Sequence, residues 1–212
     1  MKQKPMTVEE LLEKCNSDPE WVAAKKERDR KFAEIRMASE LAQRPLVDDL
    51  KKVGVHIKSA WELVNTKTPY PLAIPVLLNH LNRPYPERVR EGIARALAVR
   101  EAHSGWSTLL DAFKVDPDQS TIGVKWALAL ALGAAATDAE LDDVIPLLRD
   151  RSNGENRVPL LAILGRSKDP RADALLLELA DEPGIALDVA AVKRKRDKRV
   201  LAKKSRAKQN LK

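Results

Sequence analysis

The sequence predicts an all-α fold, and three observations carry that reading. Apolar residues fall at offsets 0, 3, 4 and 7 in four sets: Ile74/Leu77/Leu78/Leu81, Trp106/Leu109/Leu110/Phe113, Leu141/Val144/Ile145/Leu148 and Ala172/Leu175/Leu176/Leu179. The sets start 32, 35 and 31 residues apart, so one helical stripe recurs at a near-constant period. Aromatic residues make up only 4% of the chain, and no alternating run of Val, Ile and Thr reads as a strand. A short unit with one apolar stripe cannot bury it alone and must stack on copies of itself. The expected architecture is therefore an α-helical solenoid in three parts: a helical cap over 1–65, repeats over 66–192 and a basic tail over 193–212.

Each element has a local reason. Thr7 with Glu10 fits a capping box that opens a short helix to about residue 14. Ser17-Asp18-Pro19-Glu20 offers a second start, a capping residue followed by Pro in the first turn. A long helix then runs toward residue 43, ended by Pro45. Its middle, Lys25 to Lys31, is nearly all charged and reads as a solvated surface. A helix over 46–53 stops at Gly54, and one over 59–65 brings Trp61, Leu63 and Val64 to the edge of the array.

The repeats alternate two helices. The first of each pair carries its own stripe at offsets 0, 4, 7 and 8: Val89/Ile93/Ala96/Leu97, Val124/Leu128/Ala131/Leu132 and Asn156/Leu160/Ile163/Leu164. The last Leu of each precedes the next stripe by 9, 9 and 8 residues, enough for a tight turn. Ala98, Gly133 and Gly165 follow those leucines. Small residues there allow close approach of a neighbouring helix, and Gly can also supply a left-handed cap. Pro146 either lies in a first turn starting near Asp142 or kinks its helix. Ile185/Val189/Val192 forms half a repeat that can cover the final pair.

Leu132-Gly133, the run Leu164-Gly165-Arg166-Ser167-Lys168-Asp169-Pro170-Arg171-Ala172 and the segment Arg88 to Leu97 resemble HEAT-like repeats, of the kind also found in phycobilin lyase subunits. The resemblance spans roughly residues 70–192. It implies a short α-α superhelix whose second helices line the concave face. On that disposition the second helices carry a net charge of −4 and the first helices +4. An acidic groove repels phosphates and suits a protein with a basic or polar contact surface. Asn79, His80, Asp111, Asp142, Asp143 and Asp173 are the candidate partner contacts, with His80 read as a surface residue.

Chemistry finds little footing. There is no phosphate loop, dinucleotide fingerprint, metalloprotease helix or nucleophile elbow. Cys15 is the only cysteine, which points to a reducing compartment, and His56, His80 and His103 lack the spacing of a zinc site. No enzymatic activity, cofactor or metal is expected. The longest apolar run, 126–136, has 11 residues, too few for a bilayer, and the start lacks the apolar core of a signal peptide. A cytoplasmic protein without a membrane partner is the expectation.

The basicity is local. Residues 193–212 hold 11 of the 38 Lys and Arg and one acid, Asp197, whereas the remainder is mildly acidic. Lys193, Arg194, Lys195, Arg196, Lys198, Arg199, Lys203 and Lys204 are candidate phosphate contacts on a segment able to continue as a helix. Two functions follow: a non-enzymatic scaffold gripping a protein on the concave face, and, as the alternative, a nucleic-acid-associated protein held by its tail.

Overall fold

The computed structural model describes residues 6–64, 66–117 and 122–209, with side chains up to residue 202. Among the described residues there are twelve α-helices, three 3-10 helices and no strand. The fold is all-α. Packing divides the chain into two compact units, Met1–Ala42 and Gln43–Lys212.

The first unit is a pair of helices in contact, α1 (Val8–Asn16) and α2 (Pro19–Ala42). The capping box at Thr7 forms in both directions: Glu10 N–H donates to the Thr7 hydroxyl, and Thr7 N–H donates to the Glu10 carboxylate at 2.9 Å. The cap of α2 is Asp18, whose carboxylate accepts from Glu20 N–H at 2.9 Å, with Pro19 in the first turn. The charged middle is exposed, as expected, and laces to itself through Arg30 with Glu27 and Glu34.

The second unit holds the recurring stripes. Its helices are α3 (Arg44–Lys52), α4 (Trp61–Val64), α5 (Ala73–Leu81), α6 (Glu87–Ala96), α7 (Trp106–Val115), α8 (Val124–Ala135), α9 (Leu141–Arg149), α10 (Leu161–Arg166), α11 (Pro170–Glu178) and α12 (Ala186–Gln209). Packing skips one helix at a time: α4 lies on α6, α6 on α8, α8 on α10 and α10 on α12, while α3 lies on α5 and α5 on α7. Residues 43–64, read with the cap in the sequence, thus pack in the second unit. Residue 65, the expected end of that segment, lies outside the described residues.

The stripes meet in one core. Leu77, Leu109 and Val144 are fully buried, Leu175 nearly so, and Leu78, Trp106 and Ile145 are half-buried at its margin. The first-helix stripes are buried at all twelve positions, Asn156 included.

The third first-helix departs from expectation. Residues Arg151–Arg157 form a 3-10 helix, and the α-helix begins only at Leu161. Gly154 has a positive φ of 54°, and Pro159 brings no N–H to the ladder. Buried polar side chains hold this segment instead. Asn153 Nδ2 donates to the Leu147 carbonyl at 3.1 Å, and Arg157 donates to the Gly154 carbonyl at 2.8 Å and to Glu182 at 3.1 Å. Pro146 falls in the interior of α9 rather than in its first turn, so it cannot donate to the carbonyl of Asp142.

The expected left-handed caps at Gly133 and Gly165 are corrected. Both lie inside helices, and neither has positive φ. Their smallness serves close approach: a Cβ on Gly133 would stand 2.7 Å from the Pro159 carbonyl oxygen, and one on Gly165 3.1 Å from Val192.

The basic segment after residue 192 continues as a helix, as its sequence allows: α12 runs through the border expected there. Ile185 and Val189 are buried, Val192 is half-buried, and α12 packs on α10. The helix continues because no Gly or Pro interrupts 186–209.

Candidate functional site

Two surfaces of the second unit carry the candidate residues: the face of α5, α7, α9 and α11, and the length of α12. On the first, Asn79, Asp111, Asp142, Asp143 and Asp173 are exposed. His80 is not. It is 1% exposed and belongs to a lock joining α3, α5 and the loop after it.

In that lock His80 Nε2 lies 3.0 Å from Asp49 Oδ2, and Nδ1 lies 2.7 Å from the Tyr85 hydroxyl. An ionised carboxylate can only accept, so Nε2–H donates to Asp49. In the neutral imidazole Nδ1 then accepts from Tyr85 O–H. No substrate can reach so buried a ring, and the constellation ties elements together. Sequence reading missed it because Asp49 lies 31 residues away, on another helix.

Lys52, and secondly His80, hold the Asp49 carboxyl down at about 2, against an ordinary value of 3.8. The sign follows from linkage: a carboxyl depressed on folding contributes stability in full above its unfolded value and loses it as pH falls through the folded one. Asp49→Asn is therefore expected to be less stable than wild type at neutral pH, with the gap closing between about pH 4 and pH 2. Urea midpoints across that range check it, and a gap that stays constant would refute it.

The acids of the second-helix face are mostly engaged by neighbouring helices. Trp106 Nε1–H on α7 donates to Asp143 on α9 at 2.8 Å. Arg171 on α11 pairs with Asp142 on α9, and Arg149 on α9 pairs with Glu178 on α11 at 2.7 Å. Asp173 accepts from Nε and Nη2 of Arg196 on α12. Two of these pairings pull their acids down: Arg196 lowers Asp173, and Arg149 lowers Glu178. The negative balance read from the sequence is thus met locally, chiefly by arginines one helix along. Asn79 accepts from Arg83 at 2.7 Å within its own turn region.

Between these helices run two open grooves. One, of 370 Å³, lies between α9 and α11, with Ile145, Pro146, Ala174 and Leu175 among charged neighbours. The other, of 440 Å³, lies between α11 and α12 and is lined by Leu176, Leu177, Val200 and Leu201 beside Asp173 and Lys193. Leu177 is 64% exposed and Leu201 63%.

On α12 the cations divide by role. Arg196 is buried and structural: it also donates to the Leu164 carbonyl at 2.8 Å and to that of Ser167. Arg199 donates to the Gly165 carbonyl at 2.9 Å yet stays exposed. Lys193 is half-buried, 3.5 Å from Asp197. Arg194, Lys195 and Lys198 are exposed, and none has a carboxylate within 4 Å among the described residues. The side chains of Lys203 and Lys204 lie outside the described ones.

Among the described residues no helix is long and apolar enough to cross a membrane, and no group of three His, Cys, Asp or Glu could hold a metal ion. Comparison with protein-family models, with curated proteins and with solved structures found no match.

Proposed function

We propose that this chain is a non-enzymatic scaffold, a short HEAT-like α-α superhelix, that binds another protein across α9, α11 and the middle of α12. One observation carries the reading: the groove between α11 and α12 leaves Leu177, Val200 and Leu201 exposed, with charged side chains at its edge. An apolar strip with a polar rim is the ordinary anatomy of a protein-binding patch. Because the nearby acids are already paired, the partner is selected by an apolar insert with polar flanks rather than by positive charge. The repeat-like sequence over 70–192 supports the same reading, since arrays of this kind present extended surfaces.

The test is a quantitative pull-down with the full chain and with Leu177→Lys, each with and without nuclease. A protein partner on this groove is expected to be held by wild type, nuclease or not, and lost from the variant at unchanged melting temperature. Equal capture by both would remove the groove from consideration.

A second reading, binding of nucleic acid through α12, is favoured by the exposed cations Arg194, Lys195 and Lys198 on one helix, none with a carboxylate within 4 Å among the described residues. Their attraction to phosphates is sequence-independent and weakens steeply with salt. The lack of aromatic residues on 193–212 favours duplex over stacked single strands.

A further inference from the structure

Resting on that second reading, we infer that the phosphate-binding surface does not end at α12 but continues onto the turn edge of the helix pairs, as a track for a nucleic-acid backbone. The residues that make it are Arg100, Arg166, Lys168 and Arg199, drawn from four places along the chain. Arg100 follows α6, Arg166 ends α10, Lys168 lies in the turn before α11, and Arg199 is on α12.

Two hollows place them together. One, of 390 Å³, is lined by Arg100, Arg166 and Lys168 with the backbone end of α8. The other, of 270 Å³, is lined by Arg166, Lys168 and Arg199. Since Arg166 and Lys168 line both, the hollows are neighbours along one strip. Arg166 and Arg199 are oriented by backbone: Arg166 donates to the Ala136 carbonyl at 2.6 Å, and Arg199 to that of Gly165. None of the four has a carboxylate within 4 Å among the described residues. The single acid of the strip, Asp138, is turned toward backbone, accepting from Lys168 N–H at 3.2 Å.

Like charges gathered together cost free energy that a bound anion relieves: after burial, proximity of Arg100 disfavours the charged form of Arg166, and the nearby Asp138 only partly offsets this. A chain of phosphates fits four cations strung over two hollows better than one compact anion does. The lining has no aromatic ring, so the track reads backbone, not bases. Its exposed apolar content is confined to Val200, which gives a bilayer nothing to anchor.

The test uses the full chain and a fluorescent DNA duplex, titrated by anisotropy between about 50 and 200 mM salt. Arg100→Gln with Lys168→Gln removes two cations whose side chains make no hydrogen bond or ion pair among the described residues, so circular dichroism should be unchanged. With about 0.9 counterion released per phosphate contact, this double variant is expected to flatten the log–log salt slope by roughly 2 and to weaken binding several-fold at low salt. The triple variant Arg194→Gln/Lys195→Gln/Lys198→Gln probes α12 alone. If it loses binding while the double variant matches wild type in slope and affinity, the track is overturned and the α12 reading stands. If wild type does not bind duplex, or binds phosphatidylserine vesicles in its place, both fall.

Discussion

Leu128→Ala is expected to lower the stability of the second unit by about 2–5 kcal/mol, the range for a leucine cavity that its surroundings cannot close. Leu128 is fully buried midway along α8, and α8 is packed on α6, α7 and α10. Neighbours on several sides are already held by their own contacts, so collapse into the void is resisted. Urea unfolding should show a lower midpoint with an unchanged slope, since the same surface is exposed on unfolding. A loss below about 0.5 kcal/mol would be the value of a surface site and would mean that α8 is not central.

Gly133→Val is expected to cost about 1–3 kcal/mol through overpacking, even though valine is intrinsically the better helix former. The Cβ position is 2.7 Å from the Pro159 carbonyl oxygen, where ordinary contact begins near 3.4 Å. Because the obstacle is backbone, no rotamer change relieves it, and α8 must move away from residues 158–160. Gly105 supplies the control: its Cβ would meet the side-chain tip of Leu78, which can turn aside, so Gly105→Ala should cost less. Thermal melts of the two variants decide it; equal losses would show that backbone approach at Gly133 is not what the small residue serves.

These two sites show how far periodicity reaches. The stripe that placed Leu128 inside was legible because burial of one helix face imposes a repeat that any window of residues displays. The reason for Gly133 was only half legible. Smallness pointed to close approach, but whether the glycine caps a helix or sits within one depends on where the ladder ends, and α8 runs two residues past it. The same limit applies to the third pair, where Asn156 sits in the apolar register and is buried. What keeps that segment out of α-helical form is a set of side chain–backbone bonds from Asn153 and Arg157, which no spacing rule announces.

The candidate residues divide in the same way. The acids Asp142, Asp143 and Asp173 are exposed, because the polar side of an amphipathic helix is written in the order of its residues. Their partners, Trp106, Arg171 and Arg196, lie 23 to 37 residues away or across an interhelical gap. So the charge balance of that face, the burial of His80 with Asp49 and Tyr85, and the docking of Arg196 could not be read in advance.

From its sequence alone this chain is bound to be helical, to stack its stripes into one core and to gather its positive charge at one end, because each of these depends on the local order of residue types. Which polar groups neutralise one another, where a helix gives way to a 3-10 turn and which cations pair with carboxylates were decided by tertiary structure. The physical reason is that pairing between side chains depends on distance in space, and helix packing brings together groups that lie 23 to 37 residues apart in the chain.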